Sequence, residues 1–112
     1  MNSSIARFLR KCLFLSIFST FVFGVNGQSS INNGIGLFEQ GKLKEARSFF
    51  ESYLKSNKND AEANFYLGRI YFDENDFDKA TDWFERASDY DEGNSKYHMW
   101  LGHSYGTRAQ NA

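Results

Sequence analysis

A single repeating period constrains this chain more than any other feature. Gly34, Gly68 and Gly102 are each 34 apart, and so are Leu37, Tyr71 and Tyr105. The same offset joins Ala46 to Ala80, Phe50 to Phe84, Leu43 to Phe77, Phe49 to Trp83 and Glu51 to Glu85. The segments Gly41-Lys-Leu-Lys-Glu-Ala46 and Asn75-Asp-Phe-Asp-Lys-Ala80 repeat one order of turn former, charge, apolar residue, two charges and alanine. Self-similarity at a fixed period of about 20 to 50 residues is the signature of stacked supersecondary units, each burying its apolar side against the next.

Within the period, the apolar spacing is helical. Ala63, Leu67, Ile70 and Tyr71 recur at i, i+4, i+7 and i+8, and Phe77, Ala80, Phe84 and Ala87 form a second stripe. Each repeat is therefore a hairpin of two amphipathic helices. The pattern predicts helices near 28–40, 43–56, 61–73, 77–90 and 95–109, with Asp60 and Asn94 as N-caps and Asp73 to Asp76 as an interhelix turn. The expected fold class is all-α, an α-solenoid of antiparallel hairpins. Glycine inside a helix costs about 0.5–1 kcal/mol relative to alanine, so Gly34, Gly68 and Gly102 predict close approach of a partner helix, facing the small Ala46 and Ala80.

The segment before Gln28 obeys a different logic. Arg7, Arg10 and Lys11 precede a mostly apolar run from Cys12 to Val25, and Val25-Asn26-Gly27 has the small-residue shape of a signal-peptidase site. A helix of that run would reach roughly 21 Å, short of the hydrocarbon core of about 30 Å. The expectation is a signal peptide over 1–27, a mature chain from Gln28, and export to a periplasmic or secreted location without a stable membrane span. A cut after Gly24 and an uncleaved membrane anchor are the alternatives. Without those three cations, residues 28–112 hold 10 basic against 14 acidic residues, a net −4, which disfavours a nucleic-acid partner. Cys12, the sole cysteine, lies before the expected cut, so the mature chain has no thiol chemistry.

Asn64-Phe-Tyr-Leu67-Gly68-Arg-Ile-Tyr71 followed by Ala80-Thr-Asp-Trp-Phe84, together with His98-Met-Trp-Leu101-Gly102-His-Ser-Tyr105, resembles the tetratricopeptide repeat family. Asn64 stands where tryptophan is usual, Asn33 replaces leucine before Gly34, and Lys58 and Glu92 stand where a proline commonly closes the repeat. The resemblance divides 28–112 into repeats of about 28–60 and 61–94 and a partial third over 95–112. It implies a right-handed superhelix whose first helices line a concave groove for a peptide or protein partner. In register, that groove holds Ile31, Ile35 and Phe38, then Phe65, Arg69 and Phe72, then Met99 and His103. Paired lysines and asparagines that hold a chain-terminal carboxylate in some relatives are absent, since Ile31, Ile35 and Phe65 occupy the matching places. The competing reading is that a neighbouring element packs over these side chains.

No constellation for catalysis is visible. His98 and His103 diverge by about 140° around a helix, unlike an i, i+4 metal pair. The acidic run from Asp73 to Asp78 lacks the glycine of a calcium loop and places Phe77 where an oxygen ligand is required. No phosphate loop and no nucleophile elbow occurs, so neither an enzyme nor a cofactor is expected. The expected function is an exported adaptor. The alternative is the N-terminal structural part of a longer protein whose activity lies beyond Ala112. The last helix, with Tyr97, Trp100, Leu101 and Tyr105, is expected to miss a second helix, leaving an apolar patch around Trp100 that favours self-association.

Overall fold

The computed structural model describes residues 30–112, and the expected leader and its two cut sites lie outside the described residues. Five helices follow in order: α1 Ser30–Glu39, α2 Leu43–Ser56, α3 Ala61–Asp73, α4 Phe77–Tyr90 and α5 Ser95–Gln110, with no strand among the described residues. The boundaries of α2, α3 and α4 coincide with those the periodicity predicts, and α5 ends one position later.

The turns obey the same period as the helices. Gly41 and Asn75, one period apart, are the two described residues with left-handed backbone, at φ 76° and 64°. In each turn two amides return to the helix just ended: Gly41 N–H to Phe38 O and Lys42 N–H to Leu37 O, both 3.0 Å, then Asn75 N–H to Phe72 O at 3.0 Å and Asp76 N–H to Tyr71 O at 2.9 Å. This is the Schellman arrangement, which satisfies carbonyls a helix end would leave orphaned and reverses the chain within a hairpin. Glycine adopts that backbone freely, and asparagine is among the few other residues that tolerate it.

Turns between hairpins are built differently. Asp60 N–H bonds to Asn57 O and Asn94 N–H to Asp91 O, both 3.1 Å. Asp60 then caps α3 by accepting from Ala63 N–H, and Asn94 caps α5 by accepting from Lys96 N–H, each at 3.1 Å. The Asn64 amide donates to Lys58 O at 3.3 Å and Asp60 O at 2.8 Å, and His98 Nε2 lies 2.6 Å from Glu92 O. Lys58 and Glu92 are the places without the closing proline, Asn64 is the place without the tryptophan, and His98 lies one period after Asn64. Two departures from the repeat pattern thus meet in one contact, in which a polar side chain ties down the carbonyl of a turn that proline does not stiffen.

The core runs through the stack as Ala46, Phe50 and Leu54 of α2, Ala63, Phe65, Leu67, Ile70 and Tyr71 of α3, Ala80, Phe84 and Ala87 of α4, and Tyr97 of α5. One buried polar contact docks α5 on α4: Thr81 Oγ1 and Ser104 Oγ lie 2.7 Å apart, and Thr81 also donates to Phe77 O at 2.7 Å. Ile31–Ala112 form one compact unit.

The glycine expectation needs correction. A Cβ at Gly34 would lie 2.6 Å from Phe49 Cε1 and 2.8 Å from Phe50 Cζ, and one at Gly68 would lie 2.5 Å from Phe84 Cδ1. The approach is real, but the second helix presents phenylalanine rings to the glycines, not the alanines. A small residue on one side makes room for a large one on the other, as dense packing requires. At Gly102 a Cβ would meet nothing within 4 Å.

Candidate functional site

The first helices α1, α3 and α5 meet through a row of rings. Phe38 of α1 packs edge-on against Tyr66 of α3 at 5.4 Å, and Tyr66 stacks on Phe50 of α2 at 5.5 Å. Phe65 of α3 lies 4.9 Å from Tyr97 and 6.5 Å from Trp100, both of α5. Phe72, one helical turn beyond Arg69, lies 5.6 Å from Trp100 and 5.1 Å from His103. Edge-on and tilted contacts of this kind bring the positive rim of one ring to the negative face of another.

Arg69 sits among these rings. Its guanidinium carbon is 3.9 Å from the centre of Trp100 and 5.2 Å from that of Phe38, so one cation bridges residues of α1 and α5 from a position on α3. A guanidinium over an aromatic face is held by the ring quadrupole, and more firmly when water is partly excluded. Arg69 is half-buried, and its Nε has no hydrogen-bond partner. By contrast, Arg47 reaches the Glu74 carboxylate at 3.1 Å.

The expected groove residues divide three ways. Phe38, Arg69, Phe72 and His103 are brought together, partly exposed. Phe65 is 2% exposed, so its ring supports the surface from beneath and does not line it, because Tyr97 and Trp100 close over it. Ile31 and Ile35 are half-buried against the core along α1, and Met99 stands 62% exposed on α5. Sequence reasoning missed Trp100, which was expected on the opposite side of α5. It packs instead on Arg69, Phe72 and Phe84. The signal was available, since Trp100 lies one full period after Tyr66, another ring of this row. Around it, Tyr97 is 4% exposed, Trp100 itself and Leu101 are half-buried, Tyr105 is 40% exposed and Met99 is 62% exposed.

Burial pushes the Tyr97 hydroxyl up to about 12, assisted by the negative charge of Glu62, Asp91 and Asp60. Tyr66 is raised by burial and by Glu62 and Glu39, with Arg69 opposing. Both hydroxyls therefore stay neutral under ordinary conditions. Among the described residues no group of three or more His, Cys, Asp or Glu side chains is placed to hold a metal ion, and no helix is long and apolar enough to cross a membrane. His98 and His103 part company, the first held at Glu92 O and the second against Phe72 and Trp100.

The tetratricopeptide repeat profile matches residues 37–102, more than half of the chain, from the end of α1 to the middle of α5. The chain belongs to the tetratricopeptide repeat family. No curated protein shows significant similarity to it. Tetratricopeptide repeats as a family mediate protein–protein interaction and are typically non-enzymatic scaffolds. In this repeat protein the matched segment contains the Arg69 site almost whole, with His103 immediately outside it.

Proposed function

We propose that the chain is a non-enzymatic adaptor that binds a peptide or protein on the surface formed by α1, α3 and α5, and that it works outside the cytoplasm. The observation that carries the binding surface is the row of Phe38, Arg69, Trp100, Phe72 and His103, which crosses all three first helices and remains partly exposed. Rings fixed by their neighbours bury a large area on contact at little further entropy cost, the property that makes aromatic and arginine residues frequent anchors in interfaces. The extracytoplasmic location is supported by the basic segment, the apolar run and the small residues ending at Gly27.

Peptides selected by display against the full chain test the binding surface. Phe72→Glu should abolish binding, because a carboxylate placed among rings loses hydration without gaining a partner. Tyr90→Glu, at a residue of α4 that is 46% exposed, should leave binding unchanged. The reverse outcome moves the site to the second helices. N-terminal sequencing of exported material tests the location: Gln28 is expected, and retention of Met1 overturns cleavage.

A second reading makes this unit part of a longer chain. Gly34 and Gly68 are each covered by a ring from a second helix, whereas Gly102 faces open space. A reading frame continuing into a helix with a large apolar residue one period after Phe84 supports it, and a frame encoding no such helix removes its support.

A further inference from the structure

The packing of Arg69 against the rings leaves one of its donors without a partner. Its guanidinium is stacked between Trp100 and Phe38, its Nε is buried with no acceptor, and no carboxylate among the described residues forms an ion pair with it. A second cation stands beside it: Lys96 Nζ lies 4.8 Å from the centre of Phe65 and 5.5 Å from that of Tyr97, also without an ion pair among the described residues. Phe65 thus carries Lys96 against one part of its ring and Arg69 within 6.0 Å. Residues 28–112 are acidic overall, and Glu39 and Glu62 act on the rings beside these cations, yet neither Arg69 nor Lys96 forms an ion pair with an acid of the described residues. A buried cationic donor without an acceptor is costly, and because Nε itself is closed to solvent, an arriving acceptor bonds the remaining nitrogens of the half-buried guanidinium.

We propose that the surface takes an acidic peptide segment in which one Asp or Glu side chain is bonded by Arg69, between Phe38 and Trp100, while an adjacent apolar or aromatic side chain lies on Phe72 and His103. A carboxylate offers two acceptor oxygens in one plane, which matches the planar fork of guanidinium donors. The rings on either side hold that fork in place and exclude competing water, so charge and geometry are set before the ligand arrives. The chemistry favours an internal side chain over a chain terminus, because Ile31, Ile35 and Phe65 stand where a terminal carboxylate would need lysines and asparagines. This inference rests on the reading of α1, α3 and α5 as the binding surface and adds the chemistry of the occupant.

The test uses the full chain and an array of short peptides, acetylated and amidated so that no terminal charge remains, with a central Glu, Gln or Lys and randomised flanks. Glu-centred peptides should bind about tenfold more tightly than their Gln-centred partners, the scale of a charge-assisted hydrogen bond. Arg69→Met, which keeps an unbranched stem on the rings, should remove the Glu preference, bringing Glu- and Gln-centred binding to one common level while helical content stays intact. Should that variant fail to fold, the Glu-to-Gln ratio of the unaltered chain decides, with Arg69→Lys expected to retain only part of it. Equal binding of Glu and Gln peptides, a preference for Lys, or a Glu preference that survives Arg69→Met overturns the inference. If Phe72→Glu still abolishes binding in those cases, the binding surface stands and only its acidic occupant falls. Absence of any binding, or binding indifferent to Phe72→Glu, overturns both.

Discussion

Gly68 and Gly102 occupy the same register position and should respond oppositely to one methyl group. At Gly68 an alanine Cβ would lie 2.5 Å from the Phe84 ring, which is itself fully buried and unable to retreat. Gly68→Ala should therefore destabilise the fold by about 1–3 kcal/mol, the usual scale of overpacking. At Gly102 nothing stands within 4 Å, and Gly102→Ala should be neutral or stabilise by up to about 1 kcal/mol through helix propensity. Denaturant unfolding of the two variants checks both signs. Tyr97 supplies a pH dependence. Its hydroxyl has an ordinary value of 10 and is pushed up to about 12 in the folded chain, chiefly by burial. Above pH 10 the unfolded chain releases this proton while the folded chain retains it, so the stabilisation, complete below pH 10, is lost as pH rises through 12. The loss is of order 2–3 kcal/mol at most. Thermal melts of the parent and Tyr97→Phe should converge toward pH 7 and separate above pH 10, with the variant less sensitive to alkali.

At the scale of the element, the turns between hairpins show how a repeat can dispense with its proline. Proline stiffens a turn by narrowing the unfolded ensemble. Here Asn64, 1% exposed, holds the carbonyls of Lys58 and Asp60 instead, and Asp60 both caps α3 and accepts the Tyr53 hydroxyl at 2.8 Å. Replacing Asn64 with leucine keeps the volume and deletes both bonds. The expected loss is about 1–3 kcal/mol, the cost of stranding buried polar groups. An unfolding midpoint that does not move would show that the turn is held by its backbone bonds and the Asp60 cap alone. The Asp60 and Asn94 caps were legible in the sequence because each is an oxygen-bearing side chain just before an apolar period. Their junction with Asn64 and His98 was not, since a departure from a pattern does not say what replaces it.

Across the whole molecule, stability should fall from the middle of the stack toward α5. Helix α3 buries seven residues between α2 and α4, whereas α5 buries Tyr97 and Ser104 and carries Gly102 and Gly106 facing open space. In a solenoid each unit is stabilised by its own helices and its immediate neighbours, so the least covered helix opens first. Amide hydrogen exchange should therefore be slowest in α3 and markedly faster in α5. Equal protection in both would mean that α5 is covered in solution, by a second copy or a partner. Binding of an acidic peptide at Arg69 should slow exchange in α5 selectively, because Trp100 and His103 belong to that helix.

The sequence by itself determined the fold class, the hairpin order and nearly every helix end, because a single period repeats the same apolar stripes, caps and turn formers, and these are local in the chain. It also set Phe38 with Phe72 and Arg69 with His103 at equivalent positions one period apart, on neighbouring turns of the first helices. Only the tertiary structure decided what each of those residues meets. Helical periodicity fixes the direction of a side chain about its own axis but not the rotation and spacing of the next helix, and these set whether a ring is lined up, covered or covering. So Phe65 was drawn beneath Tyr97 and Trp100, Gly68 was matched to a phenylalanine ring instead of an alanine, and Trp100 turned inward to close over the guanidinium of Arg69.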